Sequence, residues 1–342
     1  MQIEQLDLAD TRQIRACHEV YLAASRVDEP AGPWFTEQPF SGWLTIGWGG
    51  DPREVWAVPG DVEGSVTGWY RLELPGQGNL DKANLDLMIH PAERQRGRGR
   101  ALLRHAGARA AANHRSVLSG RAQEDSPGEA FARSAGAAAG LVDVKRVLEI
   151  SQLDNAKLAR LRGQAERAAA GYSLMSWIGP VPEEFIDQAA GLYAAMNDAP
   201  HETDVAPEVW DAQRVRERVN ALRPIFGLHH YTVVARHDDT GELAGLTEMA
   251  VDPADPGWGH QVVTAVIRKH RGHQLGLLLK LAMLRFLATT EAGLEQYETW
   301  NARDNIHMIA INDALGYQPS GPPTISFRLD VSMAPGVLPA SG

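Results

Sequence analysis

The sequence contains one cysteine, Cys17, among its 342 residues. A single thiol excludes an intramolecular disulfide and a cysteine-based zinc cluster, and no metal site is expected. Apolar runs are short as well, and none approaches the roughly 20 residues that a membrane-spanning helix needs. The opening stretch MQIEQLDLADTRQIRACHEV has no basic segment followed by an apolar core, so it does not predict a secretory signal. We therefore expect a reduced, cytoplasmic protein without a membrane partner.

Basic residues are too few for a general nucleic-acid binder. The chain has 33 Lys and Arg against 43 Asp and Glu, which gives a formal net charge of -10. Because neutralising phosphates requires an excess of basic side chains, we expect no nucleic-acid partner. The acidic balance is compatible with a cationic small-molecule substrate. The length suffices for two domains with separate cores, and the oligomeric state is left open between monomer and homodimer.

Two common phosphate-binding motifs are also missing. No Gly-Lys-[Ser/Thr] occurs, and the dinucleotide pattern G-x-G-x-x-G fails because Gly99 is followed by RALL. What the chain has instead is RQRGRGR, residues 94–100, between an apolar strand pattern and an amphipathic helix pattern. At a helix start, unpaired N–H groups and the macrodipole attract phosphate, and glycines allow close approach. For one copy alone, a solvated basic loop or an arginine-glycine RNA tag are the alternatives.

A second copy of this pattern favours the phosphate interpretation. The segment IRKHRGHQLGLLLKLA, residues 267–282, repeats the loop and helix in a blurred form. An offset of 177 relates three pairs of positions without a gap. They are Arg94 with Arg271 (271 − 94 = 177), Gly68 with Gly245 (245 − 68 = 177), and Val55–Val58 with Thr232–Ala235 (232 − 55 = 177). Three coincidences in matching local contexts predict an internal duplication.

Each half has the same predicted order of elements. A helical opening is followed by a β-hairpin, a further strand, the glycine loop, a helix and another strand. Strand, loop, helix and strand form a βαβ unit, so part of each sheet is parallel. The predicted fold class is α/β (α+β), with a mixed, partly parallel sheet flanked by helices in each domain. We place an N-terminal domain at residues 1–151, a connecting helix at 152–171 and a C-terminal domain at 172–342.

Strand, [Arg/Gln]-x-x-Gly-x-[Gly/Ala] and helix together resemble motif A of the GNAT superfamily of N-acetyltransferases. LMIHPAERQRGRGRALL fits this motif in the first half, and VIRKHRGHQLGLLL fits it in the second, with Gln274 where the family prefers glycine. Because both halves match, the chain is similar to a tandem GNAT protein, a layout shared by mycothiol-synthase-like enzymes. The resemblance implies acetyl-CoA as the coenzyme, with its pyrophosphate on the loop amides and its pantetheine along the preceding strand.

The resemblance assigns coenzyme binding to both loops. The residues are Val266, Ile267, Arg271, Gly272, His273, Gln274, Leu275, Gly276, Asn301 and Asn305 in the second half, and Arg94, Gly97, Arg98 and Gly99 in the first half. Helix capping is the alternative role for Asn301 and Asn305.

The next family motif predicts which half is catalytic. NIHMIAINDALGY, beginning at Asn305, matches Asn-x-x-Ala-x-x-x-Tyr-x-x-x-Gly-[Phe/Tyr] with Asn312 in place of the tyrosine. That tyrosine usually acts as a general acid near the leaving thiolate, whereas Asn312 can only donate a hydrogen bond. The first-half counterpart, DSPGEAFARSAGA, has Asp125 for the asparagine and Ala132 for the tyrosine. We therefore predict a catalytic C-terminal half, and an N-terminal half that binds coenzyme structurally or is an empty scaffold.

Acetyl transfer to an amine needs a proton acceptor and donors for the tetrahedral oxyanion. Family analogy places an oxyanion donor among the backbone N–H groups around Val266. Glu248 is the leading candidate base, because it lies on the strand beside the coenzyme strand and its first-half counterpart, Arg71, cannot serve. A solvent-facing strand residue is the alternative for Glu248. Glu298 and His260 are second-line candidates.

The predicted reaction is direct attack of a primary amine on acetyl-CoA in a ternary complex, since Cys17 lies far from both loops in sequence. An acidic cluster near the expected acceptor site favours an amino sugar, an aminoglycoside-like molecule or another antibiotic-like amine. The cluster consists of Asp198, Glu202, Asp204 and Glu208. A solvated loop is the alternative for it. Acetylation of a protein N-terminus or lysine, and a non-catalytic acyl-CoA sensor, are the alternative functions.

Overall fold

The computed structural model describes residues 1–200 and 205–333. The contacts between residues divide the chain into two compact units. Unit 1 takes the described residues of Met1–Asp143, Glu202–Ala206 and Gly321–Gly342, and unit 2 takes those of Val144–His201 and Pro207–Ser320. Within the described ranges, no helix is long and apolar enough to cross a membrane.

Strands and helices are each numbered in chain order. The strands are β1 (Glu4–Gln5), β2 (Arg53–Pro59), β3 (Val66–Glu73), β4 (Lys82–Ile89), β5 (Val117–Gln123), β6 (Ala138–Glu149), β7 (Tyr172–Ile178), β8 (His229–His237), β9 (Leu243–Asp252), β10 (Asp255–Val266), β11 (Gln296–Ala302), β12 (Gln318–Pro319) and β13 (Thr324–Asp330). The helices are α1 (Thr11–Asp28), α2 (Glu37–Thr45), α3 (Arg98–Ala112), α4 (Pro127–Ser134), α5 (Asn155–Ala168), α6 (Ile186–Ala194), α7 (Ala212–Arg214), α8 (Leu275–Thr290) and α9 (Ile306–Leu315).

Unit 1 has a mixed sheet in the order β1-β2-β3-β4-β5-β13-β6. Its pairs are antiparallel except β4 with β5, which run parallel on either side of α3 in the sequence. The apolar side of α3, including Leu102 and Ala106, packs on one face of the sheet. The other face carries an aromatic cluster around Phe40, Trp43 and Trp69. The sheet is thus covered on both faces, as the predicted βαβ unit requires.

Unit 2 repeats this arrangement. Strands β7, β8, β9 and β10 are antiparallel neighbours, and β10 runs parallel to β11. Helices α8 and α5 pack on one face around Leu279 and Ala165, and α6 packs on the other around Ile186. After α7 the chain continues as a π-helix, Val215–Ala221, on the same side as α6. The α/β fold class that the sequence predicts is confirmed in both units.

The units divide the chain differently from the predicted domain boundaries. The C-terminal strand β13 completes unit 1, where it lies between β5 and β6, and its alternating residues Ile325, Phe327 and Leu329 are buried. The last part of β6 belongs to unit 2, where it pairs with β12. Helix α5 lies within the segment 152–171 and packs against α8 in the unit 2 core.

Candidate active site

The two glycine loops have the same backbone conformation. In unit 1 the left-handed φ angles are +61° at Gln95 and +78° at Gly97. In unit 2 they are +88° at Gly272 and +54° at Gln274, at the offset of 177 in both cases (272 − 95 = 177; 274 − 97 = 177). Glycine and glutamine exchange places between the copies, yet each loop turns into its helix in the same way. Gln274 therefore adopts the left-handed conformation of the motif although it is not glycine.

The arginines that open the loops are held by ion pairs. Arg94 donates to both carboxylate oxygens of Asp28, at 2.8 and 2.6 Å, and its Nε donates to the carbonyl of Ile89 at 3.3 Å. Arg271 donates to Asp198 at 2.6 Å, and its Nε donates to the carbonyl of Val266 at 3.1 Å. The charges of both arginines are thus matched by carboxylates within the protein.

Other predicted loop contacts also have structural partners. Arg98 pairs with Glu93 at 2.8 Å, and Leu275 is buried in the unit 2 core. The Cβ of any larger residue at Gly99 or Gly276 would lie 3.3 Å from Phe131 or 3.2 Å from Ile311, so these glycines let two helices pack closely. What the loops leave for a phosphate is the backbone: Gly97 and Gly272 face open space, and a helix N-terminus follows each loop.

Three further residues that were predicted to contact the coenzyme are in contact with other residues of the protein. Ile267 N–H donates to the carbonyl of Ala244, and the His273 ring lies against Ala168 and Tyr172. Asn305 caps α9 by accepting from the N–H of Met308 at 3.3 Å, which is the alternative role considered for it.

Strands β4 and β5 diverge and open a cavity in unit 1. Their register joins Lys82 to Val117, Ala83 to Leu118 and Asn84 to Ser119, and β4 then continues to Ile89. A cavity of about 670 Å³ follows, and it reaches the loop at Gly97. Its volume lies in the range of small-molecule and cofactor sites. Arg100 and Arg121 stand on its wall, so the cavity combines an open helix start with basic side chains.

In unit 2 the corresponding opening carries a histidine and a glutamate. Strands β10 and β11 are paired from Trp258 with Gln296 to His260 with Glu298, after which β10 continues to Val266. At the last paired position the His260 Nδ1 lies 2.8 Å from the Glu298 Oε1, and both side chains are partly exposed. In unit 1 the position equivalent to His260 by the offset of 177 is Ala83, which is buried and paired with buried Leu118, and the last paired position is Asn84 with Ser119.

A β-bulge follows His260 directly. The register of β10 against β9 shifts between Gln261 and Val263, which takes Val262 out of the ladder, and the Val262 side chain is exposed. Bulges often re-aim backbone groups beside active sites. Val262 is two residues after His260 in the sequence, so the bulge lies next to the point where β10 and β11 separate.

Glu248 forms a buried network instead of facing an open site. Its two oxygens accept from the Arg223 guanidinium at 3.0 and 2.9 Å, and Oε1 accepts from the Tyr193 hydroxyl at 2.6 Å. Burial raises the pKa of Glu248, but the charge of Arg223 and the hydrogen bonds from Arg223 and Tyr193 outweigh it, so the pKa lies below its usual range. These contacts argue against the predicted base role, since neither oxygen is left for an acceptor proton.

His230 is a buried polar side chain that the sequence did not single out. Its cross-strand partner is Ala250, whose other partner is His260, so the three side chains form one row on the same face of the sheet. Burial lowers the pKa of His230 to about 4, so the ring is neutral at physiological pH. Among the described residues, neither ring nitrogen has a hydrogen-bond partner.

Asn312 is fully buried on the other face of the sheet. Its Oδ1 accepts from the Lys280 ammonium at 2.7 Å, and its Nδ2 donates to Asn301 at 2.6 Å. The predicted hydrogen-bond donor to the leaving thiolate is thus engaged within the protein. Asn301, a predicted coenzyme contact, is engaged as its partner.

Lys280 should make the stability of the protein depend on pH. Burial lowers its pKa to about 7, against 10.5 for an ordinary lysine. Between these values the unfolded chain holds the proton and the folded chain does not, so stability rises with pH, by at most about 1.4 kcal/mol per pH unit. Urea unfolding at pH 7, 8 and 9 should show this rise in the wild type and lose it in Lys280→Met. An equal pH slope in the two proteins would contradict the lowered pKa of Lys280.

The two described residues of the acidic cluster are paired with internal arginines. Asp198 accepts from Arg268 and Arg271, and Glu208 pairs with Arg214 at 3.1 Å. Glu202 and Asp204 lie outside the described residues. Asp198 and Glu208 therefore do not form an open acidic rim for a polycationic acceptor.

Solved structures share this fold across both units. A tandem GNAT protein from the clavulanic acid biosynthesis pathway is 28% identical, with a TM-score of 0.77, and the alignment covers 96% of this chain and 98% of that one. A GCN5-related N-acetyltransferase from Sphaerobacter thermophilus is 14% identical, with a TM-score of 0.63 and coverage of 96% and 95%. N-myristoyltransferase of Saccharomyces cerevisiae is 13% identical, with a TM-score of 0.62 and coverage of 96% and 80%. The last two share the fold alone.

No protein-family model matches the sequence, and no curated protein matches it. The structural likeness nevertheless extends over nearly the whole of both chains in the first comparison, so the prediction of a tandem GNAT protein is confirmed. The enzyme class that follows is an acyltransferase of the GNAT type. GNAT folds generally bind acetyl-CoA or another acyl-CoA.

Proposed function

We propose that the chain is an acetyl-CoA-dependent N-acetyltransferase that acts on a primary amine of a small, antibiotic-like molecule, with the chemistry in unit 2. The observation that carries this proposal is the His260–Glu298 pair at the point where β10 and β11 separate. In unit 1 the last paired position before the strands diverge is Asn84 with Ser119, and neither side chain takes up a proton near neutral pH. This difference supports the proposal that the C-terminal half is catalytic, which the sequence predicts from the motif that begins at Asn305.

His260 is the proposed general base, with Glu298 as its positioning residue. Glu298 holds Nδ1, which leaves Nε2 to take the proton from the attacking amine. In many enzymes a carboxylate bonded to one ring nitrogen fixes the tautomer and orientation of a catalytic imidazole in this way. The backbone N–H of Val262, in the bulge, is the proposed donor to the oxyanion, in place of the predicted group around Val266.

The coenzyme of unit 2 is proposed to lie with its pyrophosphate on the loop at Gly272–Gln274 and the start of α8, as the resemblance implies. The backbone of Gly272 faces open space, and α8 begins directly after the left-handed Gln274, without a side-chain cap on its first N–H groups. The loop at Gly97 offers the same cradle in unit 1, and we propose that it holds a second coenzyme that does not react.

The acceptor is proposed to carry an uncharged polar group in addition to its amine. The neutral His230 ring, with two unpartnered nitrogens, lies two strand spacings from His260 in the same row, which is about 10 Å. A hydroxyl or carbonyl group would satisfy it, whereas a second cationic amine finds no open acidic rim at Asp198 or Glu208. The relative from the clavulanic acid pathway supports a small natural-product acceptor.

A panel of amines tests the proposal directly. Thiol release from acetyl-CoA should accelerate with at least one small amine, such as an amino sugar, an aminoglycoside or an amine-bearing antibiotic. Faster release with peptide N-termini or lysine peptides than with every small amine would favour the protein-acetylating alternative. Tight acetyl-CoA binding without release on any amine would favour the sensor.

A further inference from the structure

Unit 1 contains an apolar chamber beside its coenzyme cavity. The chamber has a volume of about 120 Å³ and lies beneath α4, between α3 and the strands β4, β5 and β13. Leu85, Leu103, Leu118 and Phe327 form much of its wall. It shares Leu87, Arg121, Ala122, Gly128 and Phe131 with the larger cavity that reaches the Gly97 loop. A chain entering from that loop can therefore extend into the chamber along shared walls.

The chamber exists because unit 1 has small residues where unit 2 has large ones. In unit 2 this place is filled by Lys280, Asn312 and Tyr317, all of them buried. The offset of 177 places Leu103 at the position of Lys280 (280 − 177 = 103). The alignment of DSPGEAFARSAGA with NIHMIAINDALGY places Ala132 at Asn312 and Ala137 at Tyr317. All three unit 1 residues line the chamber.

The side of helix α4 that faces the sheet also lines this open space. The helix has a strongly apolar side around Phe131, yet it has no fully buried residue. Ala132 and the following Ala135 line the chamber, Ala130 lines the larger cavity, and Phe131 lines both while also packing against the unit 1 core. Well-packed interiors do not leave such space without an occupant or a loss of contact energy.

The size and lining of the chamber indicate the chemical class of its occupant. Apolar cavities of about 150 Å³ stay dry and take up benzene, so a volume near this value accommodates about four to six carbon atoms. Aliphatic and aromatic side chains dominate the wall, and the polar entrance at Arg121 lies on the side of the glycine loop. An unbranched acyl chain would match the apolar wall of the chamber, and a phosphate-bearing carrier attached to it would match the polar entrance.

We propose that unit 1 binds an acyl-CoA whose acyl chain, about four to six carbons long, occupies this chamber. The proposal rests on the proposed role of the Gly97 loop as a pyrophosphate cradle. It gives unit 1 a ligand distinct from the acetyl-CoA consumed in unit 2. Because each buried methylene group contributes about 0.8 kcal/mol, each added methylene tightens binding by up to about fourfold until the chamber is full.

The test is a series of acyl-CoA titrations on the full chain carrying Gln274→Asp, which places a negative charge in the unit 2 loop. Calorimetry with coenzyme A, acetyl-CoA, butyryl-CoA, hexanoyl-CoA and dodecanoyl-CoA gives the dissociation constants. We expect butyryl-CoA and hexanoyl-CoA to bind about five- to fifteenfold more tightly than acetyl-CoA, and dodecanoyl-CoA to bind no more tightly than hexanoyl-CoA.

Ala132→Leu fills the chamber and should abolish the gain from butyryl and hexanoyl chains while coenzyme A itself still binds. The matched control is Ala108→Leu, the same change on the exposed side of α3, which should keep the gain. Retained coenzyme A binding shows that Ala132→Leu is folded, and Ala135→Leu provides a second filled chamber if it is not.

Three results would overturn the proposal. Equal affinities for acetyl-CoA and hexanoyl-CoA would show that no chamber receives the chain, and a gain that survives both filled variants would place the chain elsewhere. If coenzyme A binds the wild type but not the Gln274→Asp protein, the cradle of unit 1 fails and the chamber proposal fails with it. Acetyl transfer by unit 2 is unaffected by any of these outcomes, so the proposed function is judged separately.

Discussion

Replacing His260 by glutamine should lower kcat for acetyl transfer by about 10²- to 10⁴-fold. Glutamine keeps a hydrogen-bonding side chain where β10 and β11 separate, but it cannot take up the proton of the attacking amine. Because this proton moves only in the reacting complex, kcat and kcat/KM should fall by the same factor. Steady-state kinetics with acetyl-CoA and the best amine of the panel measure both constants.

Two further variants serve as a control for His260→Gln and as a test of its partner Glu298. His307→Gln makes the same change at an exposed position of α9 and should leave the kinetics unaltered. Glu298→Gln removes the positioning carboxylate and should cost about tenfold to a hundredfold in kcat. A fall of less than tenfold in His260→Gln, with coenzyme binding intact, would remove His260 from the mechanism.

Changing Glu248 to glutamine should lower the free energy of unfolding by about 3–5 kcal/mol. The substitution leaves the largely buried Arg223 guanidinium without its counter-charge and replaces one of the two acceptor oxygens by an NH2 donor that faces the donors of Arg223 and Tyr193. Urea unfolding at neutral pH measures the loss. A matched control is Glu183→Gln, whose ion pair with Arg216 is exposed on both sides, and which should change stability by no more than about 1 kcal/mol.

The Glu248 network also predicts a direction of pH dependence. The folded-state pKa of Glu248 lies below its ordinary value, so its contribution is present above the unfolded pKa of about 4.5 and is lost as the pH falls through the folded-state pKa. The wild type should therefore lose stability below about pH 4.5 more steeply than Glu248→Gln.

The same variant separates the two roles considered for Glu248. If Glu248 is structural, the folded fraction of Glu248→Gln retains turnover within about threefold of the wild type, measured at a temperature well below its unfolding midpoint. If it is the base, as the sequence predicts, the variant unfolds like the wild type and turnover falls steeply. The second outcome would contradict the buried ion pair as the reason for this residue.

The duplicated loops were accessible from sequence because their geometry is local. The offset between Arg94 and Arg271 predicts equivalent turns, and the left-handed φ angles at equivalent positions agree with it. The acids that hold these arginines were missed, although each copy carries one in a similar context. Asp28 and Asp198 both end the first helical segment of their half and both precede a residue followed by proline, in VDEP and NDAP.

The environment of Glu248 was not accessible in this way. The stretch LAGLTEMAVD alternates like a half-exposed strand, but all ten residues of β9 are buried because helical segments cover both faces of the sheet. Which residue neutralises a carboxylate in such a strand depends on the long-range position of Arg223. Local pattern carries no information about it.

His260 and Glu298 illustrate a similar limit. Each residue was a candidate by itself, whereas their value as a pair depends on the parallel register of β10 and β11. That register is set after a helix and two loops, so it cannot be counted from the sequence. The place of β13 in unit 1 is set in the same long-range manner, since its alternating pattern predicts a strand but not its neighbours.

The most direct test of the account is the rate of acetyl-CoA-dependent thiol release in a matched pair of variants at the unit 2 loop. Gln274→Asp puts a negative charge where the pyrophosphate is proposed to lie, and Gln274→Asn changes the same position without charge. We predict that the aspartate variant loses turnover by about a hundredfold through weaker coenzyme binding, and that the asparagine variant stays close to the wild type. Normal turnover in Gln274→Asp, together with loss of turnover in Gly97→Asp, would place the chemistry in unit 1 and contradict the account.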